Sequence, residues 1–88
     1  MIRVRMSGEV FERVFKDFYD PEVDEVKEAI VLFVVEDDML QIYNVKVEKT
    51  NGQIFEYGYQ IGGTIWRMDE DCWERLLKAI ESGDVEVG

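Results

Sequence analysis

The chain of 88 residues carries 20 acidic and 10 basic residues and no histidine, which gives a formal net charge of −10. Its single cysteine excludes an intramolecular disulfide and a cysteine-cluster metal site, and the missing histidine removes the usual zinc ligand and the usual general base. Because compact domains typically run about 50–250 residues, we expect residues 1–88 to form a single compact domain.

The hydrophobic content of 47% is sufficient for a globular core despite the charge. The N-terminal sequence lacks the apolar segment of a signal peptide, and no apolar run approaches the roughly 20 residues of a membrane span. We therefore expect a cytoplasmic protein with no membrane partner.

The N-terminal part of the chain predicts a strand followed by a helix. Residues 2–6 alternate apolar and basic side chains, the pattern of a half-buried strand. Ser7 is a suitable N-cap for a helix over residues 8–19, which should end before Pro21. The apolar residues of that helix recur at helical spacing: Val10, Phe11, Val14, Phe15 and Phe18.

Two interpretations of residues 21–28 stay open. Pro21 fits the first position of a short helix capped by Asp20. Alternatively, the segment is an extended acidic connection that leads directly into the next strand.

The following segment, residues 29–61, predicts three consecutive antiparallel strands. Residues 29–35 are apolar at every position, which indicates a strand covered on both faces. Residues 39–48 and 53–61 continue the meander. A two-residue Asn51-Gly52 turn would give two mixed faces, whereas a three-residue loop over residues 50–52, with Gly52 left-handed, gives one apolar face. We predict the three-residue loop, which pairs Val47 with Phe55, Val45 with Tyr57, Tyr43 with Tyr59, and Lys46 with Glu56.

The C-terminal part predicts a bend, a short strand and a second helix. Gly62-Gly63 breaks the meander before a short strand over residues 64–68. Asp69 caps a helix over residues 70–82, which Gly83 terminates. Residues 84–87 alternate and either pair with a sheet edge or fray. The predicted buried face of this helix consists of Trp73, Leu76, Leu77 and Ile80.

These elements predict an α+β fold: an antiparallel meander sheet of four or five strands with two amphipathic helices packed on one face. The helices should cover the face that carries Val45, Val47, Phe55, Tyr57 and Tyr59. The opposite face is apolar at one end, and an exposed apolar patch usually marks an interaction surface. Either residues 2–6 or a second copy of the chain would cover it. The candidate dimer face consists of Phe33, Leu40 and Ile42.

No motif predicts an enzyme, a cofactor or a metal. Residues 20–31 match an EF-hand loop at three acidic positions, but Glu25 replaces its glycine and Val31 its final glutamate. Gly62-Gly63 and the preceding Gly58 lack a phosphate-loop lysine. Cys72 is interpreted as a small helix residue, because nearby carboxylates oppose activation of its thiol.

The strand–helix sequence of residues 64–78, TIWRMDEDCWERLLK, resembles the C-terminal part of the transcriptional coactivator family of single-stranded DNA binders. The basic strand residues expected of that family are missing from this sequence. Direct nucleic-acid binding is not expected, since affinity for the phosphate backbone comes mostly from lysine and arginine.

The sequence instead suggests a small acidic protein-binding module, in the form of an inhibitor that occupies a basic nucleic-acid-binding surface of another macromolecule. The alternative is a homodimeric or hetero-oligomeric regulatory or structural subunit that uses its apolar sheet face. Acidity that only keeps the domain in solution would explain the same composition. The expected partner-binding residues are Asp20, Glu22, Asp24, Glu25, Glu36, Asp37, Asp38, Asp69, Glu70 and Asp71.

Overall fold

A computed structural model describes residues 1–16, 25–58 and 66–88. Its elements in chain order are β1 (Ile2–Ser7), α1 (Gly8–Val14), β2 (Val26–Glu36), β3 (Met39–Lys49), β4 (Ile54–Gly58), β5 (Trp66–Arg67), α2 (Glu70–Glu81) and β6 (Val85–Val87). The predicted α+β class and the order of its elements are confirmed.

Within the described residues, the strands form one six-stranded antiparallel sheet in the order β4-β3-β2-β1-β6, and β5 also pairs with β3. β1 lies beside β2, with Ile2 opposite Phe33 and Met6 opposite Ala29. Residues 2–6 therefore extend the sheet and do not cover its far face. The C-terminal residues pair with β1, so the final alternating segment forms an edge strand.

The β3–β4 hairpin has the predicted register. Val47 lies opposite Phe55, Val45 opposite Tyr57, and Lys46 opposite Glu56. Gly52 has a φ of 88°, the left-handed conformation that a three-residue loop requires. The predicted pairing of Tyr43 with Tyr59 falls outside the described residues.

β3 departs from strict alternation at Tyr43. Leu32 of β2 lies opposite Asn44, whereas Phe33 lies opposite Ile42, so Tyr43 is the extra residue of a bulge. The bulge shifts the alternation by one residue, so Ile42 and Val45 both face the helices. The expectation that Ile42 lies on the opposite face is therefore wrong.

Both helices described by the structure pack on one face of the sheet and enclose a single core cluster. α1 begins at its predicted cap, where Ser7 Oγ accepts a hydrogen bond from Val10 N at 3.3 Å. The ring of Phe15 stacks on Phe33 at 6.2 Å between centroids, which fixes α1 over β2. α1 ends at Val14, and the predicted helical residues 17–19 lie outside the described part of the chain.

α2 has the predicted caps, and its predicted buried face is correct at Leu76 and at the partly buried Ile80. Its buried residues are Cys72, Leu76 and Ala79, spaced four and three residues apart. Trp73 and Leu77 are 38% and 40% exposed, so their predicted burial is wrong. The helix is rotated so that the small side chains of Cys72 and Ala79 face the core. Gly83 follows the helix with a φ of 83°, as predicted for its terminator.

Val26–Glu36 is a strand, so the extended interpretation is correct for residues 26–28. Residues 20–24 of the alternative short helix lie outside the described residues. None of the described helices is long and apolar enough to cross a membrane.

Candidate functional site

Two of the predicted acidic clusters lie at the same end of the sheet. Asp37 and Asp38 form the turn that joins β2 to β3, and the paired residues on either side of the turn are Glu36 and Met39. In β5, Arg67 lies opposite Gln41, close to that turn. Because β5 runs toward the turn, the helix α2 that follows it begins at the same end of the sheet. We call this end, with its six exposed carboxylates, the acidic end: Glu36, Asp37, Asp38, Asp69, Glu70 and Asp71.

The turn at the acidic end has a demanding backbone. Asp37 and Asp38 have φ values of 54° and 60°. A two-residue hairpin turn with both central φ values positive is of type I′, for which Asn-Gly, Asp-Gly and Gly-Gly are the favoured sequences. Aspartate tolerates this conformation less well than glycine. Asp37 therefore suits the first turn position, whereas Asp38 places a second carboxylate at the position that favours glycine.

The carboxylates at the start of α2 are held by helix geometry. Asp69 Oδ1 accepts a hydrogen bond from Cys72 N at 2.8 Å and so caps the helix. Glu70 and Asp71 lie in the first turn, where the helix dipole favours negative charge. Because Cys72 and Leu76 anchor α2 in the core, these carboxylates have a fixed position relative to the sheet.

The described side chains form no ion pair with the acidic end. Among the described residues, none of its six carboxylates forms an ion pair, whereas Glu28, Glu48, Asp84 and Glu86 each pair with an arginine or lysine. The ion pairs among the described side chains therefore lie elsewhere, and the six carboxylates concentrate negative charge at the acidic end.

Of the other predicted partner-binding residues, Glu25 is described by the structure, and it does not lie at this end. Glu25 is exposed at the opposite end of the sheet, where its carbonyl oxygen accepts a hydrogen bond from Thr50 N at 2.9 Å. Asp20, Glu22 and Asp24 lie outside the described residues.

The candidate dimer face needs correction. Phe33 and Ile42 are 0% and 1% exposed in the core beneath the helices. Phe33 alternates with the half-buried Leu32, and the bulge turns Ile42 to the same side as Phe33. The side chain of Leu40 is outside what the structure describes. The apolar residues that do lie on the side away from the helices, here called the outer face, are Ile30, Leu32, Val34 and Ile54.

The only cysteine of the chain is a core residue. Cys72 is 0% exposed, and its Sγ donates a hydrogen bond to Val14 O at 3.4 Å. Burial keeps the thiol away from solvent and supports the interpretation as a structural residue. In the described ranges, no group of three or more acidic, cysteine or histidine residues is arranged to hold a metal ion.

The structure also shows a cleft that the sequence analysis missed. Arg13 of α1 and Arg75 and Lys78 of α2 line an open cleft of about 370 Å³, together with Asp84. The only sequence signal was the presence of basic residues in the last turns of both helices, which is also the ordinary complement to the helix dipole.

No family model matches the chain, and no curated protein or solved structure is significantly similar to it. The resemblance of residues 64–78 to the coactivator family is therefore not accompanied by a family match.

Proposed function

We propose that the protein is a small acidic binding module whose acidic end occupies a basic surface of another macromolecule, as a nucleic-acid phosphate backbone would. The observation that carries this proposal is the convergence of two clusters about thirty residues apart in sequence on one end of the sheet, with every carboxylate exposed and none ion-paired among the described residues.

The physical basis is electrostatic. Clustered charge of one sign steers a partner of opposite charge and accelerates association, and the effect weakens as salt increases. The turn supports the same function, because Asp38 retains a charge at the second turn position, where glycine is favoured. Positions that sacrifice stability commonly belong to functional surfaces.

Affinity capture from an extract of the native host tests the proposal. The bait is the wild-type protein at low and moderate salt, and mass spectrometry identifies what is retained. The acidic-end variant replaces five carboxylates by amides and leaves the helix cap Asp69 intact: Glu36→Gln, Asp37→Asn, Asp38→Asn, Glu70→Gln and Asp71→Asn.

A control variant changes the net charge by the same amount on exposed residues away from the acidic end: Glu9→Gln, Glu12→Gln, Glu56→Gln, Glu81→Gln and Glu86→Gln. The proposal expects a protein with a basic surface that the wild-type and control baits retain and the acidic-end variant loses. Equal retention by all three baits would refute it.

A second candidate function is favoured by the outer face. Ile30, Leu32 and Val34 form a half-buried apolar row along β2, and Ile54 is 58% exposed on β4. This row suits a subunit that assembles through its sheet. Leu32→Glu would dissociate such an assembly in sedimentation-velocity experiments while the domain stays folded, whereas a wild-type protein that stays monomeric at high concentration rules this candidate out.

A further inference from the structure

Two large apolar side chains lie next to each other on the exposed surface of α2. Trp73 and Leu77 are 38% and 40% exposed, and because they are four residues apart on a helix, their side chains are neighbours. Ile80, three residues after Leu77, is partly buried against the core and continues the same row. We call these three residues the α2 stripe. Tryptophan is enriched in protein interfaces, so this row has the composition of an interaction surface.

The α2 stripe lies on the side of the helix that faces away from α1. Val14 O, at the end of α1, accepts hydrogen bonds from Cys72 Sγ at 3.4 Å and from Arg75 Nε at 3.0 Å, so α1 lies beside those two residues. Leu77 follows Arg75 by two residues, and residues two apart do not share a helix face. The buried Cys72 and Leu76 anchor α2 in the core. The stripe therefore has a fixed position, which lowers the ordering cost of binding.

A row of carboxylates lies beside the α2 stripe. Glu70 is three residues before Trp73 and is its neighbour on the helix surface. Glu74 and Glu81 are three residues before and four residues after Leu77, so they are neighbours of that side chain. All three glutamates are exposed, and none forms an ion pair with a described side chain.

The surface beside the stripe has a net negative charge. Lys78 is four residues after Glu74 and three before Glu81, but it forms no ion pair with any described carboxylate. One lysine and three carboxylates give 1 − 3 = −2. A second copy of the chain would bring the same acidic row and a formal net charge of −10, so repulsion opposes self-association here. Lysine and arginine side chains of a different partner are attracted instead.

The backbone of α2 determines which form of partner fits the stripe. The N–H and C=O groups within a helix are hydrogen-bonded to each other, so an extended peptide gains no main-chain hydrogen bonds here, as it would at a sheet edge. A second helix can pack its side-chain ridges into the grooves of α2. Residues 73, 77 and 80 have the i, i+4, i+7 spacing at which two amphipathic helices meet.

We propose that the α2 stripe docks a basic amphipathic helix of a partner protein. The apolar face of that helix covers Trp73 and Leu77, and its lysine or arginine side chains pair with the adjacent glutamates. Trp73 is the principal contact, because tryptophan is among the residues most enriched in binding hot spots. The glutamates orient the partner and accelerate the encounter. This surface shares only Glu70 with the acidic end and does not depend on the function proposed for that end.

Titration with a model peptide tests this surface. The probe is a synthetic peptide of leucine and lysine, arranged so that it forms a basic amphipathic helix. In spectra of the ¹⁵N-labelled protein, it should produce saturable shifts of the Trp73 indole N–H and of the amides of residues 70–81. Trp73→Ala should weaken binding by at least about tenfold and Leu77→Ala by about fivefold, because both remove apolar contact area. Retained amide spectra show that each variant is folded.

The contribution of charge has its own variant and control. Glu74→Gln should weaken binding by about threefold at low salt, and this difference should shrink as salt screens the attraction. Glu12→Gln is the matched control, because it removes the same charge from an exposed position on α1. Ile54→Ala is the apolar control, since Ile54 is 58% exposed on the outer face. Both controls should leave the affinity unchanged.

Shifts that do not saturate would overturn the proposal. Equal weakening by Leu77→Ala and Ile54→Ala, or by Glu74→Gln and Glu12→Gln, would also overturn it, because the peptide would then be held by nonspecific attraction to an acidic protein. Self-association of the protein alone that Leu77→Ala abolishes would assign the stripe to a second copy. Leu77→Ala keeps every carboxylate of the acidic end, so this proposal and the proposed function can fail independently.

Discussion

The backbone of Gly8 lies so close to Val26 that a Cβ at Gly8 would be 1.6 Å from the Val26 carbonyl oxygen. This contact joins the first residue of α1 to the first residue of β2. Gly8→Ala must move the helix or the strand, and we expect it to destabilise the fold by about 3 kcal/mol, the upper part of the range for overpacking.

Urea denaturation checks this expectation, with Gly52→Ala as the control. Gly52 has a φ of 88° but open space around its Cβ position, so alanine there should cost only about 1 kcal/mol of backbone strain. Equal stability of the two variants would show that the close approach of Gly8 to Val26 does not exclude a side chain at position 8.

Asp38, in the type I′ turn at the acidic end, should make the domain less stable than glycine at the same position would. Asp38→Gly removes the positive-φ strain, with φ at 60° in the wild type, and should stabilise the domain by about 1 kcal/mol. Asp71→Asn removes the same charge from the first turn of α2, where the dipole favours it, and should destabilise by about 0.5 kcal/mol. The melting temperatures of the two variants check this expectation. If repulsion between carboxylates alone determined stability, both substitutions would shift the melting temperature in the same direction.

The rotation of α2 predicts unequal effects from adjacent leucines. Leu76 is 1% exposed and Leu77 is 40% exposed. Leu76→Ala should therefore cost about 3 kcal/mol of the free energy of unfolding, whereas Leu77→Ala should cost under about 1 kcal/mol. Chemical denaturation measures both values, and equal losses would match the helix face predicted from the sequence, which buries both leucines.

Asp84 predicts a pH dependence of stability. Hydrogen bonds from Ser82 and Arg13, in that order of importance, lower the pKa of this carboxyl below its ordinary value. Because the folded-state pKa is the lower one, the ionised carboxylate stabilises the fold above about pH 4. That contribution is lost as the pH falls through the folded-state pKa.

Asp84→Asn should accordingly lower the melting temperature at pH 7, and the difference from wild type should shrink as the pH falls below 4. Ser82→Ala should reproduce part of the effect by removing the leading hydrogen bond. A melting-temperature difference that is constant down to pH 2.5 would show that ionisation of Asp84 does not contribute.

The sequence predicted the parts of this fold that local chemistry determines. The register of Val47 with Phe55 followed from face matching, and the caps Ser7 and Asp69 followed from their hydrogen-bonding capacity. The bulge at Tyr43 could not be predicted from the sequence, because tertiary packing decides where a strand accommodates an extra residue, and the hydrophobic pattern does not mark that position. Ile42 was misplaced for that reason.

The candidate sites were also predictable from the sequence only in part. The sequence identified the acidic clusters but not that Asp38 and Asp69 share an end of the sheet, which depends on the pairing of β5 with β3. The cleft depended on the crossing of two helices and was beyond local reasoning. Trp73 and Leu77 matched the period of a buried stripe as well as Cys72 and Ala79 do, so only packing decided between them.

The most direct test of the proposed function is the association rate constant with the captured partner, measured by stopped-flow fluorescence over a series of salt concentrations. The account predicts that the acidic-end variant associates at least about tenfold more slowly than wild type at low salt, and that the gap narrows as salt screens the field. The equally charged control variant should stay close to wild type. Equal slowing of both variants would show that total charge, and not the acidic end, drives the encounter, and would contradict the account.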